Sequence, residues 1–489
     1  MRRFDPQSRL LAALALVAGA VAAWHYHLQQ LTLSHYDAKA HLVVARRIFD
    51  NLTPGWEQIG AVWLPLPHVA QALPMQVDWF YRTGAFSVAL SVMCHAVTTA
   101  AIFAVVKTAT RSSSAAALAG TLFAVNPNVL YLQSTPMTEP LLFALLILEV
   151  WTLVDWVLAG RLVVPRDAGW IMVLACLTRY EAWPVTAAAW LASAYAWWRR
   201  GTPWRDLASV HARLALYPIA TAIGFVLLSR VTVGEWFVTG GFYVPDAELL
   251  GQPAAVAEKM AEGLTLLGGS VFVRASAIAV TAVALLGLWQ RDKAALLIPV
   301  ALVGATALPF YAFVSGHPFR IRYEVPLILA GSVAIGLAAG QLRRFAPAVS
   351  LALVLMVVGQ TRPLDPQAPM VKEAQVDRRN IQGRRRVTRC LVEGYRGETI
   401  MASMGALAHY MQELSREGFA LGDFLHEGNH PMWDSASTRG PAALVGWVLI
   451  EERAEGGDVL FKRQQEFPRF LDGFDRVCEG GNVALYRRR

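Results

Sequence analysis

Charge is what this sequence has least of. Asp, Glu, Lys and Arg make up 16% of its 489 residues, while the hydrophobic set makes up 55%; soluble domains carry about a quarter charged residues. Water is therefore not the main solvent of this chain, and disordered and coiled-coil architectures are excluded. Cysteine is equally sparse. Cys94 and Cys176 sit in apolar runs, while Cys390 and Cys478 sit in the polar C-terminal part. No zinc-ligand spacing exists, and four cysteines are too few for a disulfide-built scaffold. Internal repeats and low-complexity tracts are missing as well.

Tryptophan, proline and glycine are plentiful, at 16, 25 and 37 residues. That suits a helical membrane protein with interfacial aromatics and kinked or broken helices. About 20 apolar residues cross roughly 30 Å of hydrocarbon. Stretches of this kind predict eleven helices, near 9–28, 85–106, 113–132, 139–158, 165–179, 182–198, 214–229, 271–289, 294–314, 325–341 and 346–360. The 165–179 and 182–198 pair is short, but basic residues at both ends (Arg161 and Arg166, then Arg199 and Arg200) predict a hairpin returning to its starting side. The first run also has features of a secretory signal, with Ala20-Val21-Ala22 resembling a cleavage site, although it is long enough for an ordinary anchor.

The formal charge of +8 looks like a nucleic-acid signal until its placement is considered. With the N-terminus inside, the cytoplasmic segments carry Arg2, Arg3, Arg9, Lys107, Arg111, Arg161, Arg166, Arg199, Arg200, Arg205, Arg213, Arg291, Lys293, Arg343 and Arg344. Against these fifteen stand four acids, Asp5, Asp167, Asp206 and Asp292. The positive-inside rule thus accounts for much of the basic surplus, and no nucleic-acid partner is implied. The expected location is the inner (plasma) membrane, multi-pass, with a cytoplasmic N-terminus and an extracytoplasmic C-terminal domain.

The expected fold is an all-α polytopic membrane domain over 1–360 followed by an extracytoplasmic α/β domain over 361–489. Within the first, residues 31–84 form an outer loop: Tyr36 to Leu52 reads as a helix, and the stretch around Trp56, Trp63 and Trp79 reads as interfacial. The tail reads as a helix (Lys372 to Arg389), a strand (Thr399–Ser403), a helix (Ala406–Arg416), a strand (Leu444–Glu451), a helix (Phe461–Leu471) and a strand (Val483–Tyr486). Arg384, Arg385, Arg386 and Arg389 read as a solvated helix face near anionic headgroups. Cys390 and Cys478, near the two ends of the tail in an oxidising compartment, either close a long disulfide loop or stay as two thiols.

Five acids fall beside turn or breaker residues at outer helix ends: Asp37, Glu57, Glu139, Glu181 and Glu324. Such junctions gather helix ends around one cavity, where burial raises a carboxylate's basicity. Asp37 and His41 share a helix face at i, i+4 spacing. They suit a general base, a metal-binding pair, or an acid complementing the helix dipole. Lys39, off that face, reads as a surface charge. His317, Arg320 and Arg322 precede a membrane helix, where arginine forks suit a phosphate or ordinary lipid headgroups. Arg179 is a second phosphate contact or the ion-pair partner of Glu181. Glu149, inside a membrane helix, should face the protein interior, protonated or hydrogen-bonded.

At these residues the chain resembles the GT-C superfamily of integral-membrane glycosyltransferases, especially the bacterial branch similar to protein O-mannosyltransferases and lipid A aminoarabinose transferases. The likeness covers roughly residues 9–345. It rests on a first transmembrane helix followed by the acid-bearing His35-Tyr36-Asp37, a second acid in Thr135-Pro136-Met137-Thr138-Glu139-Pro140, and the late Arg320-Ile321-Arg322-Tyr323 before a helix. The resemblance implies a polyprenyl-phosphate sugar donor, a lipid, glycan or protein acceptor, Asp37 as catalytic base, and Arg320 and Arg322 as phosphate ligands. Where relatives carry two acids together this chain has Asp37-Ala38, so Glu57 would have to supply a second carboxylate. The sequence specifies no cofactor; a divalent metal, held by Asp37 and His41, is left open. A transporter or lipid-linked sugar flippase is the alternative from another class.

Overall fold

The computed structural model describes residues 4–238, 245–453 and 457–489; Arg2 and Arg3 of the charge count lie outside them. The chain divides into two compact units. One comprises Met1–Leu28, Val88–Val226 and Asp246–Lys372; the other comprises Gln29–Ser87, Leu227–Pro245 and Glu373–Arg489.

The first unit is helical. Among the described residues eight segments are long and apolar enough to cross a membrane: Pro6–Leu28, Ala85–Thr110, Glu139–Ala159, Trp204–Thr232, Pro253–Trp289, Arg291–Val314, Ile321–Gln341 and Arg343–Gln360. Eight of the eleven expected spans fall on these. The remaining three fall on Ser113–Ala124 with Pro127–Leu132, on Arg166–Cys176 and on Ala182–Arg199, which are shorter or less apolar. Lipid tails are as apolar as leucine, so membrane helices gain little from hydrophobicity and pack through small residues. Pro326–Gln341 shows this: a Cβ on Gly336 would lie 2.6 Å from the Ala119 Cβ, and one on Gly340 would lie 2.5 Å from the Thr110 Cβ.

Two interruptions are mutually satisfied. The Pro253–Trp289 helix kinks at Gly269, whose φ of 79° suits only glycine. The kink frees the Leu267 carbonyl, which accepts from the side-chain amides of Asn126 (2.9 Å) and Asn128 (3.1 Å), while the Val271 N–H donates to Gln360 Oε1 (3.0 Å). Asn126 also caps Pro127–Leu132, its Oδ1 accepting from the backbone N–H groups of Asn128 and Val129. Broken helices persist in a dry interior only where the freed backbone groups find partners, as here. Glu149 meets expectation: it is fully buried and accepts from Thr186 Oγ1 at 3.0 Å.

The second unit is built on a five-stranded sheet, β1 (Ile400–Ala402), β2 (Phe424–Leu425), β3 (Trp447–Glu451), β4 (Phe474–Gly480) and β5 (Val483–Arg488), in the order β2-β1-β3-β5-β4. β1 runs parallel to β2 and β3; β5 is antiparallel to β3 and β4. Side chains alternate by two. Ile400, Ala402, Trp447, Leu449, Val483 and Leu485 join one core with Tyr81, Val387 and Leu407. Met401, Val448, Ile450, Ala484 and Tyr486 join the other with Trp433, Leu460 and Phe470. Both faces are covered, so β1 and β3 read as continuous apolar runs. The expected tail elements are present, the first helix extended to Pro369–Gly394; β2, β4 and the helix Met432–Arg439 are additional.

Two expectations are corrected. Lys39 is not a surface charge: it is 1% exposed, because residues Ala38 to Ala45 of its helix are all buried. Arg384 is not on a solvated face either. It is 3% exposed and meets Glu413 through Nη2–Oε1 at 2.6 Å, while Lys39 Nζ reaches the same oxygen at 2.5 Å. Arg385, Arg386 and Arg389 are exposed as expected. Burial would raise the pKa of Glu413, but Lys39 and Arg384 outweigh it and hold it at about 2. Its contribution to stability is present above the ordinary carboxylate value of 4.5 and is lost as pH falls towards about 2.

Cys390 and Cys478 are disulfide-bonded, with Cα atoms 6.4 Å apart, and Cys94 and Cys176 are free and buried. Maleimide should therefore label two thiols per chain in the denatured, unreduced protein and four after reduction; four before reduction would contradict the bridge. The ion triad gives a second test. Glu413→Gln strands two buried cations and should cost about 3–5 kcal/mol, whereas Lys39→Met leaves Arg384–Glu413 intact and should be neutral or stabilising in thermal unfolding.

Candidate active site

In the first unit three carboxylates stand at the starts of helices. Glu139 opens Glu139–Ala159, Glu181 is the residue before Ala182–Arg199, and Glu324 ends the turn Ile321–Glu324 that leads into Pro326–Gln341. A helix N-terminus presents partial positive charge, which favours an acid there. Breakers fix these starts, since Pro140 and Pro326 cannot lie deeper in a helix without losing a hydrogen bond.

Arg179, between Arg166–Cys176 and Ala182–Arg199, ties two of these acids together. Its Nη1 lies 3.0 Å from Glu139 Oε1 and donates to Thr138 Oγ1 at 3.0 Å; Nη2 and Nε donate to Glu181 Oε1 at 2.7 and 3.1 Å. Glu139 is 0% and Glu181 is 7% exposed. Of the two sequence readings of Arg179, the ion-pair partner is the one seen. The guanidinium also lies 5.8 Å from the centre of the Tyr323 ring, which Arg322 approaches to 5.3 Å from its own Cζ. Tyr323 is thus flanked by two arginines. The His317 ring lies 5.7 Å from it, and His317 Nδ1 donates to the Pro318 carbonyl at 2.8 Å. Arg322 is buried, and Arg320 is half-buried at the start of the turn.

Glu324 differs from its neighbours in its ion pairing. Like Glu139 it is 0% exposed with neither carboxyl oxygen hydrogen-bonded among the described residues, but Glu139 meets Arg179, whereas Glu324 makes no ion pair among them. Gly263 makes room for it, since a Cβ there would lie 2.6 Å from Oε2.

The other candidates belong to the second unit. Asp37 is half-buried in the first turn of Tyr36–Arg46, and its N–H donates to His35 Nδ1 at 3.2 Å. The helix is fastened around it. The Tyr36 N–H donates to Asp377 Oδ2 (2.9 Å), and the Tyr36 hydroxyl donates to the Gly405 (2.8 Å) and Ala406 (2.9 Å) carbonyls. His41 is 3% exposed, its Nδ1 lies 3.0 Å from His68 Nε2, and the Trp63 ring sits 4.2 Å away. Burial, reinforced by the Arg47 cation, pushes His68 down to about 3, so it is neutral at physiological pH. Among the described residues no cluster of three His, Cys, Asp or Glu side chains suits a metal. Glu57 is exposed on the turn Trp56–Ile59.

Sequence reasoning missed Thr138 as a ligand of Arg179, His68 as the partner of His41, and the burial of Glu413 with Lys39. The first lies next to Glu139 in the sequence and was open to detection; the others depend on contacts that no local pattern encodes.

No family model and no curated protein sequence matches the chain. Among solved structures, the crystal structure of ArnT from Cupriavidus metallidurans bound to undecaprenyl phosphate is similar over 98% of this chain and 97% of that one. Its TM-score is 0.56 at 14% identity. The helical unit and the small sheet domain therefore share the fold of that structure.

Proposed function

We propose that the chain is a membrane glycosyltransferase that moves a sugar from a polyprenyl-phosphate donor to an acceptor hydroxyl on the extracytoplasmic face. The observation that carries this reading is the arginine-flanked Tyr323 in a fold shared with ArnT, whose structure holds undecaprenyl phosphate. A guanidinium fork matches phosphate oxygens and stays charged at any relevant pH. Arg322 and Arg320 bind the donor phosphate, with His317 and Tyr323 beside them. Arg179, neutralised by Glu139 and Glu181, holds the shape of that site. The excess of basic residues in the segments assigned to the cytoplasm supports an inside N-terminus, an outside tail and residence in the inner membrane. The acceptor is a lipid, a glycan or a protein.

The reaction is an inverting displacement. Asp37, in the first turn of its helix, takes the proton of the acceptor hydroxyl. The hydroxyl oxygen bonds to the anomeric carbon as the bond from that carbon to the phosphate oxygen breaks. The leaving polyprenyl phosphate keeps the electron pair, and its added negative charge falls on Arg320 and Arg322.

Transfer from a radiolabelled polyprenyl-phosphate sugar pool into lipid, glycan or protein fractions tests the activity, with and without the gene. Asp37→Asn should lower turnover by about 10²-fold or more at normal membrane levels of protein, the typical worth of a general base; retention of more than about a tenth of the activity excludes that role. Arg322→Lys keeps the charge but loses the fork. It should raise the donor KM, and an unchanged KM would count against phosphate binding.

A further inference from the structure

A buried carboxyl with nothing to bind is costly, and folds do not retain one without a return. Glu324 is such a group: 0% exposed, with both oxygens lacking a hydrogen-bond partner among the described residues. Its surroundings are shaped to receive it. The Pro253–Trp289 helix presents Gly263, where a Cβ would fall 2.6 Å from Glu324 Oε2 and 2.9 Å from the tip of the Phe319 ring. Alanine would be the better helix former by about 1 kcal/mol, so the bare backbone makes room for the carboxyl itself. The group is also placed beside the cationic site. One turn, Ile321–Glu324, carries both Arg322 and Glu324, with the arginine-flanked Tyr323 between them.

We propose that Glu324 binds the sugar of the donor, its carboxyl oxygens accepting hydrogen bonds from the sugar ring once the Phe319 ring is displaced. The inference rests on the phosphate-site reading given above and adds to it the group that senses what the phosphate carries. The two charges then divide the ligand: arginine takes the phosphate and the carboxyl takes hydrogen-bond donors on the ring, whether hydroxyls or an ammonium. A carboxyl with two open oxygens suits adjacent donors, and a sugar lacking them would leave it unpaired, which is how buried polar groups discriminate.

Binding to the full chain in detergent should be measured with three probes: undecaprenyl phosphate alone, the same lipid bearing a neutral hexose, and the same lipid bearing an aminopentose. The wild type should bind at least one sugar-bearing lipid more tightly than the bare one. Glu324→Leu should bind bare undecaprenyl phosphate as the wild type does, lose about tenfold or more of the gain from the sugar, and melt at the same or a higher temperature. Gly263→Ala, which displaces the carboxyl without altering it, should lose the same gain. Loss confined to the aminopentose identifies an ammonium as the donor, and loss with the hexose identifies hydroxyls. If Glu324→Leu keeps the gain within about twofold, the inference fails while the phosphate site stands. If the wild type does not bind undecaprenyl phosphate, the phosphate-site reading fails and takes the inference with it.

Discussion

An ion taken out of water has to be met by its counter-ion, and each compact unit is organised by that requirement. In the helical unit Arg179 draws Glu139 and Glu181 together, fixing the start of one long helix against the start of another. In the sheet-containing unit Glu413 takes two cations, Lys39 and Arg384, from helices far apart in sequence; Lys39 and Glu413 are 374 residues apart. Such pairs add little net stability compared with well-packed apolar groups, but breaking one strands a buried charge. Each helix is thereby held in one register. For Tyr36–Arg46 this matters chemically, because the helix presents Asp37 in its first turn.

The same accounting applies to the backbone. Inside a membrane unit a kink exposes groups that water cannot reach, so it survives only with replacement partners. Gly269 breaks one helix, and Asn126, Asn128 and Gln360 receive what it releases. Asn128 does further work, since its Oδ1 accepts from the Met370 N–H at 3.1 Å, where the long Pro369–Gly394 helix begins. Two polar side chains in an apolar run therefore mark an interruption rather than a weak span.

These rules explain which features were legible in the sequence. Runs such as 139–158 and 325–341 announced themselves through length and hydropathy, because lipid imposes a constraint on every residue of a span. The parallel core strands β1 and β3 were visible as short apolar runs, because a sheet covered on both faces writes that pattern directly. Phe424–Leu425 is too short to register, and β4 at the sheet edge buries only Phe474 and Cys478, so neither stood out. Lys39 and Arg384 were misplaced for a deeper reason. A charged residue reads as exposed until its partner is known, and Glu413 lies on a third helix that no local periodicity connects to either. At the candidate site the identities of Arg179, Glu181 and Tyr323 were readable; their mutual geometry was not.

Against this background Glu324 is the exception. Glu149 has Thr186, Glu139 and Glu181 share Arg179, Glu413 has two cations, and Asp458 accepts from the N–H groups of Glu451 and Leu460. Glu324 packs against the bare backbone of Gly263, with neither oxygen hydrogen-bonded among the described residues. Leaving a buried polar group unpaired costs about 1–3 kcal/mol, a sizeable fraction of typical domain stability. Among the described residues the other buried carboxylates each have an ion pair or a hydrogen bond, and a single substitution to leucine would remove the cost at Glu324, which supports the proposal that its partner is a ligand. The nearest named chemistry on the same turn is the arginine of the phosphate site, and a ligand long enough to engage both must carry an anion at one end and hydrogen-bond donors at the other.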